Sequence, residues 1–214
     1  MIALRKFLTI IFPQVCVACD REAHYFCRQC QDQIDFLYYQ PRFKPLENLV
    51  DNTHVLGFFT PPLSTVIKAL KYQSLHPIGS ILGNLLYQHL PLPTNLDFVT
   101  AVPLHPKRFK QRGYNQAKLI AQQLANRLEK PYQPLLLRQR HTQNLASVTN
   151  DQERFQLMSN VFALNPNLQI NLKRKNILLV DDVVTTGSTL AACATQLHQA
   201  GVGKISAVLV AHES

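Results

Sequence analysis

From Asn176 to Thr189 the chain reads NILLVDDVVTTGST, and this stretch limits the available folds more than any other. An unbroken apolar run, Ile177 to Val180, meets two adjacent carboxylates, Asp181 and Asp182. Val183 and Val184 follow, then Thr185-Thr186-Gly187-Ser188-Thr189. Apolar positions then recur at Leu190, Ala194 and Leu197, with Gly201 beyond them as a C-cap. A short apolar run does not by itself separate a buried strand from a buried helix. The hydroxyl cluster and the glycine decide it, because they mark a turn and then a helix N-terminus. The order predicts a strand over 177–182, a loop, and a helix over 188–200.

The chemistry follows from that order. A helix start offers unpaired backbone N–H groups and the positive end of the helix dipole, which together bind phosphate. Gly187 lets the backbone close around an anion, since it has no Cβ. Thr185, Thr186, Ser188 and Thr189 add hydroxyl donors. Carboxylates at the carboxyl end of a strand suit the vicinal hydroxyls of a ribose, or Mg²⁺ carried by a polyphosphate. The plainer alternative is a turn whose Thr and Ser only cap the helix. The stretch is not a Walker loop, because no lysine follows the glycine, and it is not GxGxxG.

At 214 residues, the chain has room for one α/β domain and a small appendage. With 46% hydrophobic residues it can build a core, and the formal charge of +9 favours phosphorylated ligands or nucleic acid. The opening MIALRKFLTIIFP has a short apolar stretch broken by Arg5 and Lys6 and lacks a small-residue cleavage site. It reads as a short amphipathic helix rather than a signal peptide. No apolar run reaches membrane-spanning length, and a cytoplasmic location is expected.

Cys16-x-x-Cys19 and Cys27-x-x-Cys30 are two knuckles seven residues apart. Four thiolates at this spacing can close a tetrahedral Zn²⁺ site, which would hold together a segment too short for its own core. A disulfide framework is the rival, and it needs an oxidising compartment for which the sequence carries no signal. His24 could replace a cysteine, or be an exposed loop residue. Cys193 reads as a small buried hydrophobe. Residues 31–52 read as a linker carrying Pro41, Arg42, Lys44 and Pro45, so the boundary falls between a ribbon at 1–50 and a main domain at 51–214.

In the main domain, strands are expected at 53–60, 96–104, 132–138, 160–164 and 204–211. Helices are expected after Pro61-Pro62 (ending in Lys71-Tyr72), after Pro77, over 114–129 and over 151–158. Alternating strands and helices give a mainly parallel sheet covered on both faces. Between strand and helix lies a basic loop, with His105, Lys107, Arg108, Lys110 and Arg112, able to neutralise a diphosphate or remain simply solvated. Phe109 and Tyr114 beside it could stack bases or pack inward. A glycine-free polar stretch from Arg138 to Ser147, with Arg140, Thr142 and Gln143, is of the length that is often functional. Lys173-Arg174-Lys175 reads as a solvated charge cluster.

The 177–189 pattern resembles the phosphoribosyl-diphosphate (PRPP) loop of type I phosphoribosyltransferases. The whole chain resembles the ComF family, through the double Cys-x-x-Cys ribbon, Lys71-Tyr72, VPLHPKRFKQRGYNQA at 102–117, RQRHTQNLAS at 138–147, Arg154 with Asn160, and VDDVVTTGST at 180–189. The resemblance implies a type I phosphoribosyltransferase-like fold with an N-terminal zinc ribbon. It implies that Asp181 and Asp182 are the catalytic acids holding the ribose hydroxyls, and that Thr185, Thr186, Gly187, Ser188 and Thr189 hold the 5′-phosphate. The diphosphate loop would lie at 103–108, and Arg138, Arg140, Thr142 and Gln143 would belong to a flexible loop closing over substrate. Structural Zn²⁺, Mg²⁺ with PRPP, single-stranded DNA and a DNA-uptake helicase or channel protein are the implied cofactors and partners. The family is tied to natural transformation and to use of external DNA. An active transferase in nucleotide salvage, using Mg-PRPP and an unidentified base, is the alternative.

Overall fold

The computed structural model describes residues 14–139 and 161–213. In chain order they form α1 (Arg28–Gln31), a 3-10 turn (Lys44–Leu46), β1 (Asn52–Phe58), α2 (Leu63–Tyr72), α3 (Pro77–His89), β2 (Phe98–Ala101), α4 (Pro106–Arg112), α5 (Gln116–Arg127), β3 (Leu136–Arg138), β4 (Phe162–Leu164), β5 (Ile177–Val184), α6 (Ser188–Gln199) and β6 (Ile205–His212). The opening thirteen residues, the helix expected over 151–158, and Arg140, Thr142 and Gln143 lie outside the described residues.

Four strands make the main sheet in the order β1-β6-β5-β2, all parallel. Side chains alternate faces along a strand, and β5 is apolar at every position up to Val180, so both faces must be covered. Leu178 and Val180 enter one core, with Leu63, Ile67 and Leu70 of α2, Leu82 and Leu86 of α3, and Ile120 and Leu124 of α5. Ile177 and Leu179 enter the other, with Leu190, Ala194 and Leu197 of α6. The α/β class with helices on both faces is as expected. No helix among the described residues is long and apolar enough to cross a membrane.

Several boundaries differ from the sequence expectation. β5 does not stop at Asp182 but continues to Val184, because β6 goes on pairing with it through Val183↔Ala211 and Val184↔His212. The segments expected as further strands of the parallel sheet at 132–138 and 160–164 instead form a separate antiparallel pair, Leu136↔Leu164 to Arg138↔Phe162. Tyr132 makes only an isolated bridge to Val99. The basic loop contains a helix, α4, with Pro106 at its first turn. The His105 Nδ1 caps it by accepting from the Lys107 N–H at 3.1 Å, and Gly113 ends it in the left-handed region. Lys175 is not simply solvated: its Nζ lies 2.9 Å from Asp97, which also accepts the Asn176 N–H at 2.8 Å. Those two contacts, the backbone one first, hold the Asp97 carboxyl below its usual range.

The segment read as a linker is laid against the sheet. The Leu37 N–H donates to Leu56 O at 3.0 Å and the Phe58 N–H to Asp35 O at 2.9 Å, which covers the outer edge of β1. Leu37, Phe43 and Leu46 are buried in the α6-side core, while Cys16, Phe26, Cys30 and Ile34 join the other.

α3 and α5 touch through two glycines. A Cβ on Gly79 would lie 2.6 Å from Leu119 Cβ, and one on Gly83 would lie 2.7 Å from Gln123 Cβ and 2.9 Å from Ile120 O. Alanine would add about 1 kcal/mol of helix propensity per site. Forcing the helices apart costs about 1–3 kcal/mol per site, which outweighs it. The Gly79→Ala/Gly83→Ala chain should therefore unfold at lower urea than the parent. A higher midpoint would show that the helices are not so closely seated.

Candidate functional site

The site begins where β5 changes from apolar to acidic. The period of two that buries Leu178 and Val180 on the α2 side carries Asp182 to that side, while Asp181 follows Ile177 and Leu179 towards α6. The two carboxylates therefore have different neighbours. Asp182 Oδ2 is 3.0 Å from Lys71 Nζ, with side-chain exposures of 13% and 18%. Asp181 Oδ1 accepts the Asp182 N–H at 2.8 Å and has the Arg138 guanidinium and the buried Cys193 thiol in its electrostatic surroundings. Both acids are half-buried and neither is sealed inside. Burial pushes the Asp181 carboxyl up, to about 8, and the Asp182 charge adds to that. The Asp182 N–H, Lys71 and Arg138 oppose the rise. Asp181 is thus held towards its protonated form, while Lys71 faces the carboxylate of Asp182.

Beyond the acids, Thr185 and Thr186 are exposed, Ser188 and Thr189 are half-buried, and Gly187 is buried. Gly187 sits at φ 83° as the N-cap of α6, and the Thr186 and Ser188 hydroxyls are 2.9 Å apart. A side chain at 187 is excluded twice, by that φ and by Phe43 Cβ and Leu46 Cγ, which would lie 3.0 and 3.2 Å from a Cβ. The N-cap position itself is glycine and supplies no side-chain cap to α6. The Thr186 hydroxyl still reaches the helix start, where it accepts the Ser188 N–H at a long 3.4 Å.

The basic residues leave the same sheet edge. β2 ends level with Val180, and the Val102 N–H donates to Val180 O at 2.9 Å. Asn115 Nδ2 returns to Val102 O at 2.9 Å, tying both ends of the α4 segment there. Lys107, Arg108, Phe109 and Lys110 are exposed, and His105 and Arg112 half-buried. Arg108 lies close enough to Arg138 for its charge, after burial itself, to lower the Arg138 guanidinium pKa. Tyr114, weighed as a stacking residue, is buried. Its hydroxyl donates to Leu70 O and its ring meets His76 edge-on at 4.2 Å.

Lys71, named in the sequence only as a helix end and part of a family-like pair, is the functional residue to which sequence reasoning gave no role. Its signal was present: it lies four residues after Ile67 on the inward stripe of α2, where a cation needs a partner. Which acid it would meet depends on the packing of α2 over β5.

Separately, the four cysteine Sγ atoms of residues 16, 19, 27 and 30 lie within 4.8 Å of one another. Thiolates about 2.3 Å from a tetrahedral Zn²⁺ stand roughly 3.8 Å apart, and Cys19 Sγ–Cys27 Sγ is 3.7 Å. The Cys27 N–H points at Cys16 Sγ at 3.4 Å. The donor set and its spacing fit a metal such as zinc. His24 is exposed and stands outside the cluster, and Cys193 is fully buried on α6.

Two outcomes are expected. Because folding raises the Asp181 pKa from 3.8 to about 8, the native chain keeps a proton that the unfolded chain loses, so stability falls as pH rises through that window and levels off above it. Asp181→Asn lacks this loss. Its melting temperature should match the parent near the low end of the window and exceed it at the high end; parallel pH profiles would refute the assignment. For the ribbon, the metal content of the purified chain should be one zinc, removed by Cys27→Ser with a lower melting temperature. An unchanged zinc content would refute the tetrad.

Comparison with known proteins agrees with this architecture. Residues 115–214 match the phosphoribosyl transferase domain family. The chain is 31% identical to Competence protein F of Haemophilus influenzae over 204 residues, covering 91% of this chain and 82% of that one. It is 31% identical to DNA utilization protein YhgH of Salmonella typhi over 156 residues, covering 69% and 66%. Among solved structures, adenine phosphoribosyltransferase from Thermoanaerobacter pseudethanolicus aligns with a TM-score of 0.42 and 18% identity, over 68% of this chain and 72% of that one. With a relative this similar along nearly its whole length, a cysteine tetrad at the N-terminus and a phosphoribosyl transferase domain behind it, the chain belongs to the ComF family.

Proposed function

We propose that this chain binds the ribose 5-phosphate part of PRPP, or a related phosphate ligand, at the β5–α6 junction, and single-stranded DNA on the adjoining basic face. Its role would be cytoplasmic, in DNA uptake during natural transformation or in DNA utilisation. The carrying observation is the half-buried Asp181–Asp182 pair at the end of a central parallel strand, followed by Thr and Ser hydroxyls at the start of the twelve-residue helix α6. A protonated Asp181 can donate to one ribose hydroxyl, and Asp182, already neutralised by Lys71, can accept from another. That donor set suits a neutral diol better than a bare divalent cation. Mg²⁺ would arrive on the diphosphate, facing Lys107, Arg108 and Arg112. The names of the relatives support the DNA role, and the charge of +9 supports a polyanionic ligand. A DNA-uptake helicase or channel protein would be the macromolecular partner. In this reading residues 1–50 brace a main domain at 51–214, with zinc on Cys16, Cys19, Cys27 and Cys30.

The domain match favours a second reading, an active phosphoribosyltransferase using Mg-PRPP and a nitrogenous base. Catalysis would then be electrostatic, with the basic residues and Mg²⁺ stabilising the departing diphosphate. Diphosphate release in the presence of candidate bases separates it from binding alone.

The test of the site is calorimetric. The parent chain should give binding heat with PRPP and Mg²⁺, and Asp181→Asn/Asp182→Asn should give none while keeping its circular dichroism and a cooperative melt. Undiminished heat from the double variant would sink the reading.

A further inference from the structure

Beside the acid pair, the surface carries two large aromatic rings that the core does not use. Tyr72 follows Lys71 directly and is 73% exposed, and Phe109 on α4 is 48% exposed. Arg112, one turn after Phe109 on the same helix, places its guanidinium 5.1 Å from the Tyr72 ring centroid. α4 holds Lys107, Arg108, Lys110 and Arg112 and contains no acid. Single exposed apolar residues are ordinary. An exposed ring held by an arginine, a second exposed ring one turn away on that arginine's helix, four cations on that helix and a carboxylate site next to them make a more specific arrangement.

We propose that Tyr72, held by Arg112, and Phe109, one turn before Arg112 on α4, form a stacking ledge for successive bases of a single-stranded nucleic acid, with the α4 cations taking its phosphates. The inference rests on the strand-binding reading above and gives it a location. Base–aromatic stacking tolerates any sequence, because every base has a π-face. The arginine under the tyrosine fixes the ring and leaves its outer side open. The ledge borders the acid pair through Lys71, whose Nζ is 3.0 Å from Asp182, so a strand lying on it would pass the mouth of the ribose-phosphate site.

The molecule contains its own control. Tyr87 is also exposed, and Arg127 lies 4.7 Å over its ring. That pair lines a different cavity, of 570 Å³, together with Leu96, Glu129 and Lys130, at the opposite end of β2. It has the same cation–π geometry without the basic helix or the acid pair.

Fluorescence anisotropy of the full chain with a short labelled oligothymidylate, and with an abasic strand of equal length, tests the ledge. Tyr72→Ala and Phe109→Ala should each weaken the thymidylate complex by roughly tenfold and leave abasic binding and the salt slope unchanged. Tyr72→Phe should bind as the parent, and Tyr87→Ala likewise. Lys110→Gln should instead flatten the salt slope by about 0.7 for both strands. Retained PRPP heat in Tyr72→Ala would show that the neighbouring Lys71–Asp182 contact is intact. If the parent binds strands and both alanine variants bind them equally well, or if the loss is the same on the abasic strand, the ledge is overturned while strand binding stands. If the parent binds neither strand at low salt, both fall together.

Discussion

Two carboxylates on consecutive residues of a half-buried strand cannot both stay ionised without help. Everything around the end of β5 answers to that constraint. The strand's alternation sends Asp182 to the α2 side, where Lys71 meets it, and Asp181 to the α6 side, where burial raises its carboxyl pKa and Arg138 opposes the rise. The two acids therefore differ in how readily they ionise, although they are neighbours in sequence. The acids, the helix start and the basic segment meet at one edge of the sheet, which is the arrangement the proposed ribose-phosphate reading rests on.

Much of this was legible in the sequence because it is local. The run Ile177–Val180 is apolar at every position because helices cover both faces, and this made the strand plain. Gly187 and the hydroxyls marked the turn. Pro106, with His105 before it and Gly113 after Arg112, carried the signals of a short capped helix, yet the cluster of cations there favoured a loop reading. Less legible were features set by partners distant in sequence. β5 outruns its apolar core because β6 keeps pairing with it. Leu136–Arg138 finds Phe162–Leu164 rather than the main sheet, which no periodicity in three residues can announce. The meeting of Lys71 with Asp182 spans more than a hundred positions and follows from the seating of α2, fixed in turn by the Tyr114 hydroxyl on Leu70 O.

The same distinction applies to the aromatics. Phe109 and Tyr114 are equivalent as letters in a basic stretch, and only packing separates them. One has its hydroxyl bonded inside the fold and the other faces water. Tyr72, at the end of an amphipathic helix, gave no sign that an arginine from forty residues on would lie over its ring.

The contact of Phe43 and Leu46 with Gly187 changes how the N-terminal fifth should be regarded. A chain begun at residue 51 would keep every strand of the main sheet and every acid and hydroxyl at its centre. It would nonetheless lose the apolar lid behind the Gly187 turn and the backbone that shields the rim of β1. Truncation would therefore loosen the β5–α6 turn from behind, and the arm that carries Phe43 and Leu46 is better regarded as a wall of that turn than as a detachable linker.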